Sequence, residues 1–339
     1  MLNAANLATY RAELWLLSPS CQPYTVLNPL AKGAADPRAK SFIHLIEDVL
    51  PEMVRDSTHP KYMLVENVAG FERSSTRLRL LKTLDSLGYG VLELLLTPLQ
   101  FGIPNSRLRY YLLAKAQPMP FPGTIASGLR LWRHIPGHGQ DWIDPRMYID
   151  HNDNEMIADE IRDYLDEDVP ERHSTHPNAI PDQTLQKWGR LFDIILPSAR
   201  RSCCFTRGYV RMAERSGSVL QMNEELDTTS TFDRFLEAQK SGREAAVRVL
   251  DPLRLRYFSP TELLRIFHFL PTAKTEAQES FQWPADLSVK TQYRLIGNSV
   301  NVQVVAELIR YLFEVEGRPT EESDSILLKR MAHDSGTLT

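Results

Sequence analysis

The chain has 339 residues, which is enough to bury a sizeable core in two domains or in one large domain. Its 42% hydrophobic and 24% charged residues are ordinary for a globular protein. No apolar run reaches the ~18 residues that a membrane span needs. A net charge of −4 argues against a uniformly basic surface for nucleic acid, but it allows one local basic groove.

Three cysteines give neither a disulfide framework nor a metal-binding spacing. The first residues lack the basic start and apolar centre of a secretory signal. We therefore expect a protein of a reducing compartment, the cytosol or the nucleus, without a metal site.

Short apolar runs alternate with helical patterns in the first third of the chain. The runs predict strands over residues 14–17, 62–65, 91–96 and 110–114, and the helical spacing predicts helices over 41–53 and 75–87. This alternation predicts a doubly wound α/β sheet, in which functional residues follow the carboxyl ends of the strands. Cys21 follows the first predicted strand, and Glu66 ends the second.

Regular alternation stops at the proline-rich segment that ends at Gly123, and a mixed, loop-rich second domain is expected beyond it. Further on, Ser259, Pro260 and Glu262 form the start signal of a helix. Gly297-Asn298-Ser299-Val300 introduces a last amphipathic helix. The predicted division is a catalytic domain over 1–118, a target-recognition domain over 119–285, a returning segment over 286–316 and a disordered tail over 317–339.

Cys21 lies between Pro19 and Pro23, just past a buried strand, where a stiff and exposed loop is expected. Such a loop can supply the access and the lowered pKa that a reactive thiolate needs. A lone cysteine is more often a small buried hydrophobe. The proline context favours a nucleophile only together with the residues that follow.

A carboxylate and two guanidinium groups are the later residues that favour a nucleophilic Cys21. Glu66 stands beside apolar Val65 and Val68, where it could donate a proton. Arg107 and Arg109 point to one face of an extended segment and could polarise a carbonyl oxygen. Taken singly, the carboxylate is as well explained by a salt bridge, and the arginines by the charged face of an edge strand.

The order of four segments resembles the cytosine-5 methyltransferase family. They are Ser-Pro-Ser-Cys-Gln-Pro from Ser18, Glu-Asn-Val from Glu66, Asn-Ser-Arg-Leu-Arg-Tyr from Asn105 and Gly-Asn-Ser-Val from Gly297. Cys-Phe-Thr-x-x-Tyr from Cys204 resembles the tRNA-directed branch, the tRNA aspartate methyltransferases that were formerly classed with DNA methyltransferases. The resemblance runs from about Glu13 to Leu312.

The resemblance implies a Rossmann-like S-adenosylmethionine-dependent methyltransferase sheet with a smaller, mixed target-recognition domain. It implies a monomer that methylates cytosine C5 in tRNA, at the anticodon loop, with DNA as a further substrate class. Such enzymes act on a base that has left its stack. Cys21 would attack cytosine C6.

The resemblance also assigns the other site residues. Glu66 would contact N3 as proton donor, with Arg109 and Arg107 beside the base. The methyl-donor pocket would be lined by Pro19, Asn298, Ser299 and Val300. Substrate-side and supporting positions would be Gln22, Asn67, Cys204, Phe205, Thr206 and Tyr209.

Two positions depart from the family pattern. Ser20 precedes the nucleophile where most relatives have a second proline, and the loop is expected to be looser for it. No glycine occurs before Gly33, so the Gly-rich turn for S-adenosylmethionine and the acidic residue for its ribose have no counterpart ahead of Cys21. We expect the first strands of the sheet to be missing, through a true truncation or a start recorded too late.

Three other functions stay open on this evidence. A DNA cytosine-5 methyltransferase would use the same chemistry, although the segment from Cys204 argues against it. A non-catalytic nucleic-acid-binding remnant would explain the lost Gly-rich turn but not the retained Cys21, Glu66 and Arg109. A Cys-His hydrolase would need a base such as His44, which nothing in the sequence marks for that role.

The departure before Cys21 gives a first testable expectation. This polypeptide should bind S-adenosylmethionine weakly or not at all, because much of the pocket that holds the cofactor in the family has no counterpart in its sequence. Isothermal titration of the purified chain measures this directly. A stoichiometric site of micromolar affinity would contradict the expectation.

Overall fold

The computed structural model describes residues 2–24, 32–123, 130–138, 158–167, 176–242, 245–273 and 281–314. The chain folds into two units, each built from segments that are separated in sequence. The first unit comprises Met1–Leu96, Leu108–Asp150 and Ala306–Thr339. The second comprises Thr97–Arg107 and His151–Val305.

The first unit contains all four strands and both helices that the sequence predicts, each within a few residues of its expected bounds. Its helices and strands are Ala4–Ala8 (α1), Leu14–Leu17 (β1), Lys40–His44 (α2), Leu50–Arg55 (α3), Tyr62–Val68 (β2), Ser75–Ser86 (α4), Tyr89–Leu96 (β3), Arg109–Ala116 (β4) and Leu131–Trp132 (β5). A π-helical turn, Leu45–Val49, joins α2 to α3. The helix predicted over 41–53 therefore contains one wider turn.

The five strands form one mixed sheet in the order β1-β2-β4-β3-β5. β1 runs parallel to β2, with Leu14 opposite Tyr62 and Leu17 opposite Val65. β4 runs antiparallel to both of its neighbours, β2 and β3. β1 ends the order, so its outer edge has no strand partner among the described residues.

Apolar side chains on both faces hold this sheet in place. Consecutive residues Met63, Leu64 and Val65 are all buried, as expected for a strand that is covered on both sides. Leu50 and Leu84 pack from the helices into the same cluster as Val65. Each such side chain contributes about 1.5–3 kcal/mol relative to exposure. The sheet is thus a rigid support for whatever its strand ends carry.

The second unit is mixed and rich in loops, as the sequence predicts. Its elements are Asp182–Trp188 (α5), Asp193–Ile195 (β6), Ser218–Gln221 (β7), Thr228–Lys240 (α6), Leu255–Arg256 (β8), Pro260–Ile266 (α7), Val289–Asn298 (α8) and the start of Val302–Phe313 (α9). β7 pairs in parallel with β6 and antiparallel with β8. A core of its own surrounds these elements, with Phe205, Phe235 and Phe258 fully buried.

The two units divide the chain differently from the predicted domains. Thr97–Arg107 belongs to the second unit, where Asn105 pairs with Ser202 in a parallel bridge. The described residues after 118 and before 139 belong to the first unit, because β5 adds to the sheet beside β3. The proline-rich break is therefore a turn inside the first unit. The tail predicted over 317–339 lies outside the described residues.

The predicted start signal of α7 is present in full. The hydroxyl of Ser259 accepts the main-chain N–H of Glu262, and the Glu262 carboxylate accepts that of Ser259 in return. The same carboxylate takes two hydrogen bonds from the Arg256 guanidinium, at 2.8 and 2.7 Å. Both side chains are almost completely buried. The capping residue thus also neutralises an arginine inside the second unit.

No described helix combines the length and the apolar character needed to cross a bilayer.

Removing the buried partner of Arg256 should destabilise the second unit strongly. Glu262→Ala leaves a buried guanidinium uncompensated and is expected to cost about 3–5 kcal/mol of unfolding free energy. Urea denaturation followed by tryptophan fluorescence measures it. Glu307→Ala, which removes the partly exposed partner of the exposed Arg310, is the control and should stay within about 0.5 kcal/mol. Equal losses in the two variants would contradict the assignment.

Candidate active site

The carboxyl ends of β1 and β2 meet at one edge of the first unit's sheet because the two strands are parallel. Cys21 lies just beyond the end of β1, and Glu66 lies near the end of β2. β4 is antiparallel to β2 and begins at the same edge, with Arg109 opposite Val68. The topology therefore brings Cys21, Glu66 and Arg109 to a single edge of the sheet.

The carboxylate of Glu66 is held between two polar partners. The Ser18 hydroxyl donates a hydrogen bond to its Oε2 at 2.6 Å, and the Arg109 Nε lies 3.6 Å from its Oε1. The side chains of Glu66 and Arg109 are only 10% and 15% exposed. Because little solvent screens this pair, the two side chains fix each other's orientation at the sheet edge.

A second contact ties the segment before the nucleophile to β2. The Asn67 side chain donates to the main-chain carbonyl of Pro19 at 3.0 Å. Asn67 is itself buried, and its side-chain Oδ1 accepts the main-chain N–H of Val68. The segment that leads into Cys21 is therefore fixed to a central strand on its amino-terminal side.

The residues after Cys21 form a turn that is anchored by an aromatic side chain. The Tyr24 N–H donates to the carbonyl of Cys21 at 2.9 Å. The ring of Tyr24 packs edge-on against Phe71 at 4.8 Å, and its hydroxyl donates to Thr76 at 3.0 Å. Cys21 itself is exposed. The nucleophile candidate thus projects from a turn that is fixed from behind.

Arg38 is a site residue that the sequence analysis missed. Its guanidinium donates to the Gln22 side chain and to both carboxylate oxygens of Asp36. The hydrogen bond with Asp36 raises the pKa of Arg38, and the nearby Cys21 contributes in the same direction. Arg38 therefore places a positive charge beside the nucleophile and holds the residue that follows it. These contacts flank Ser20, where the family's second proline is absent.

In the second unit, Phe205 and Tyr209 lie in the hydrophobic core. Phe205 is 0% exposed and Tyr209 is 2% exposed. The Tyr209 hydroxyl donates to the carbonyl of Ser218 at 2.8 Å and accepts the N–H of Phe258 at 3.0 Å. Their side chains support the segment from within, which differs from the substrate-side role predicted for them.

Cys204 and Thr206 alternate with these core residues and are half-buried. The preceding residue, Cys203, is a poor nucleophile candidate. Burial, together with the nearby Asp193, raises the pKa of Cys203 to about 11, so it remains a thiol at neutral pH. Cys21 is thus the exposed thiol of the chain.

Arg107 does not share the surroundings of Arg109. It precedes β4, belongs to the second unit and is 4% exposed. Its guanidinium donates to the carbonyls of Phe205 and Ser299, at 2.9 and 2.5 Å. The two arginines were predicted to share one face of an extended segment, but β4 begins only at Arg109. The geometry gives Arg107 a supporting place among main-chain carbonyls.

Comparison with known proteins shows which family the chain belongs to. The family model of the C-5 cytosine-specific DNA methylases matches residues 4–314. The chain belongs to this family. It is 35% identical to the tRNA (cytosine(38)-C(5))-methyltransferase of Bos taurus over 88% of this chain and 81% of that protein. It is 33% identical to a DNA (cytosine-5)-methyltransferase of Dictyostelium discoideum, over 92% of this chain and 79% of that protein.

A solved structure of the family has a similar fold. The crystal structure of the Schizosaccharomyces pombe Dnmt2 methyltransferase superposes with a TM-score of 0.66 at 32% identity, covering 91% of this chain and 80% of that one. The Rossmann-like methyltransferase fold inferred from the sequence is confirmed by this likeness. As a C-5 cytosine methylase, the chain uses S-adenosylmethionine as its methyl donor.

The loop predicted to line the methyl-donor pocket connects α8 to α9. Asn298 is exposed and Val300 is half-buried, while the Ser299 hydroxyl donates back to the carbonyl of Ile296 at 2.7 Å. On the other side, Asn301 donates to the carbonyl of Ile266 at 3.0 Å. A firmly held loop with one open carboxamide and one apolar side chain fits part of S-adenosylmethionine.

His44 does not provide the base that a Cys-His hydrolase needs. One ring nitrogen contacts Asp48 at 2.8 Å, and the other contacts the carbonyl of Leu2 at 3.0 Å. The hydrogen bond to Asp48 raises the pKa of His44. Because both nitrogens are engaged away from Cys21, the geometry favours methylase chemistry over hydrolysis.

The hydrogen bond between Arg38 and Gln22 is expected to order the turn around Cys21. Arg38→Ala should raise amide hydrogen exchange over residues 21–24 by about tenfold, because one of the contacts that close this turn is lost. Mass spectrometry of proteolytic fragments measures it. Arg73→Ala, at a side chain that is 88% exposed, is the matched control and should change nothing there. Unchanged exchange in Arg38→Ala would show that the contact does not order the turn.

Proposed function

We propose that this chain transfers a methyl group from S-adenosylmethionine to C5 of a cytosine in tRNA. The observation that carries the proposal is the convergence of Cys21, Glu66 and Arg109 at one edge of the sheet. The tRNA substrate is supported by the Bos taurus relative, which is named for that activity. The Dictyostelium relative, named as a DNA methyltransferase, makes duplex DNA the second candidate substrate.

Cys21 supplies the first step. C5 of cytosine is a weak nucleophile, and the ring must be activated before it can take a methyl group. The Cys21 thiolate adds to C6 and forms a carbon–sulfur bond, while the C5–C6 π electrons move toward C5. Exposure of Cys21 on an anchored turn supplies the access that this attack needs.

Glu66 and Arg109 assist the same step. Glu66, when protonated, can donate a hydrogen bond or its proton to N3 and so draw electrons toward the ring nitrogen as sulfur adds. The guanidinium of Arg109, fixed beside that carboxylate, can donate to the carbonyl oxygen of the base. Both groups are more useful once sulfur has added than before, and that difference is what lowers a barrier.

The remaining steps restore the base and the enzyme. S-adenosylmethionine, when bound, would supply an electrophilic methyl group to the electron-rich C5 and leave as S-adenosylhomocysteine. Loss of the C5 proton to solvent, with return of the N3 proton to Glu66, then re-forms the C5–C6 double bond, and the electrons of the broken C6–sulfur bond return to Cys21. The product is 5-methylcytosine, and the thiolate is regenerated.

An unpaired loop base suits this geometry. C5 and C6 of a stacked base are covered by its neighbours, and extruding a base from a duplex costs a few kcal/mol. A cytosine in the anticodon loop is already partly unstacked, so less of that cost remains. We therefore assign the target to the anticodon loop.

A basic surface on the second unit offers a site for the tRNA backbone. Lys290 and Arg294 lie one turn apart on α8, and both are exposed. Arg207 and Arg211, which follow Cys204 closely in the sequence, are exposed as well. Gly297 joins the two places, since a Cβ there would collide with the main chain of Thr206 and Arg207. Lysine and arginine at such a surface attract phosphate and release counterions.

Two other arginines of the second unit are paired with carboxylates, one of them buried and one at the surface. Arg256 is buried with Glu262, and Arg200 pairs with Glu160 at 2.8 Å. Fewer arginines of this unit are therefore open to phosphate than its sequence contains.

Catalytic variants test the proposed reaction. Cys21→Ala should abolish methyl transfer to tRNA, and Glu66→Gln should slow it by about 10²–10⁴-fold, because each removes a group that acts on the ring. Transfer of labelled methyl groups to tRNA and to duplex DNA measures both activity and substrate class. Cys203→Ala, at a thiol with a raised pKa, is the control and should retain activity.

Two results would count against the proposal. Labelling of duplex DNA in preference to tRNA would transfer the function to the second candidate. Full activity in Cys21→Ala would remove the nucleophile from the mechanism.

Charge reversal on α8 tests the RNA surface. The double variant Lys290→Glu and Arg294→Glu should weaken tRNA binding by more than about tenfold and flatten its dependence on salt, because two phosphate contacts are lost. Filter binding over a range of salt concentrations measures this. Lys240→Glu, an equally exposed position at the end of α6, should bind tRNA as the unaltered chain does. Equal weakening by the control would mean that only the overall charge matters.

A further inference from the structure

A single guanidinium gathers two loops of the second unit. Arg107 Nη1 donates to the carbonyl of Phe205 at 2.9 Å and lies 3.4 Å from the Cys204 sulfur. Its Nη2 donates to the carbonyls of Ser299 and Gly297, at 2.5 and 3.3 Å. The segments that it contacts are almost a hundred residues apart in the chain.

The guanidinium plane is fixed on its remaining side by an aromatic ring. Phe267, at the end of α7, lies under the group with 5.1 Å between the Arg107 Cζ and the ring centroid. Phe267 is fully buried, and Arg107 is 4% exposed. Arginine suits such a place because its donors form a rigid planar fork. A lysine ammonium is a single point charge and could not reach both loops in this geometry.

The two loops also touch directly, beside the arginine. Gly297 packs so closely on the main chain of Thr206 and Arg207 that a Cβ could not be accommodated. A glycine that admits the neighbouring backbone, together with a guanidinium that binds carbonyls on both loops, forms one clamp. The clamp consists of Arg107, Gly297 and Phe267.

The clamp joins two stretches with different predicted tasks. One stretch, Cys204 to Thr206, was predicted to lie on the substrate side and is the RNA-recognition segment. The other, Asn298 to Val300, was predicted to line the methyl-donor pocket and is the cofactor-side loop. The exposed Arg207 directly follows the first stretch, and the exposed Arg294 lies one turn of α8 before the second. A displacement of either loop would therefore be transmitted to the other.

We propose that Arg107 is a positioning residue that holds the RNA-recognition segment and the cofactor-side loop in a fixed mutual geometry. The proposal rests on the proposed function, since it is that function which gives the two loops their tasks. Both terminal nitrogens are hydrogen-bonded to protein acceptors, and the side chain is buried. Arg107 thus orders groups that meet the substrates and does not touch the reacting base.

The conservative variant Arg107→Lys tests this directly. Amide exchange should rise about tenfold over both residues 203–207 and residues 296–300, since one clamp serves both. The KM for tRNA should rise about tenfold while kcat changes by less than about threefold, because binding geometry is lost and the chemical groups remain. Arg234→Lys, at an exposed arginine of α6, is the matched control and should alter neither quantity.

Two results of the Arg107→Lys experiment would overturn the proposal. Unchanged exchange in either loop would show that Arg107 does not join them. A fall in kcat with an unchanged KM would place Arg107 on the reacting base. If the unaltered chain methylates no tRNA, the proposed function fails, but exchange in the two loops and filter binding of tRNA still decide whether Arg107 is a positioning residue.

A second variant covers the case in which Arg107→Lys does not fold. Phe267→Leu keeps the guanidinium but removes the ring beneath it. We expect amide exchange to rise in both loops together, but by less than in Arg107→Lys. A rise confined to the end of α7 would overturn the proposal.

Discussion

The parallel pairing of β1 with β2 is the constraint on which the candidate site depends. Because both strands run in the same direction, their carboxyl ends open at one edge, and the turn that carries Cys21 lies beside the carboxylate of Glu66. Antiparallel β4 then begins at the same edge and brings Arg109 against Glu66. A slip of one residue in this register would turn Glu66 to the opposite face of the sheet. Hydrogen bonds from Asn67 and Tyr24 fix the turn in place.

The second unit is organised by two buried arginines. Arg256 is neutralised by Glu262 and secures the start of α7. Arg107 binds the carbonyls that end α8 and those of the Cys204 segment. Buried guanidinium groups are expensive to desolvate, so each needs acceptors close to its terminal nitrogens. The position of the loops in this unit follows from where those acceptors must lie.

Much of the first unit could be predicted from sequence, because its signals are local. Apolar runs such as 62–65 and the glycine that ends α4 mark elements without reference to distant residues. The motif from Ser18 and the one from Glu66 identified the family for the same reason. The start signal at Ser259 was likewise complete within four positions.

Long-range partners could not be predicted in this way. Nothing near Arg38 in the sequence indicates that it reaches Gln22, and nothing near Arg107 indicates that Ser299 is its acceptor. The burial of Phe205 and Tyr209 was also missed, because a motif reports which residues matter without showing which way their side chains point. The extension of the first sheet by β5, past the proline-rich turn, depends on pairing with β3 and was missed for the same physical reason.

The central claim is that Cys21 attacks the target cytosine with Glu66 and Arg109 beside it. The most direct measurement uses tRNA that carries 5-fluorocytosine, because fluorine at C5 prevents the proton loss that releases the enzyme and so traps the adduct. After incubation with S-adenosylmethionine and proteolysis, mass spectrometry should find the modified base attached to the peptide that contains Cys21. Attachment to Cys203 or Cys204, or efficient methylation of ordinary tRNA with no trapped adduct, would contradict the account.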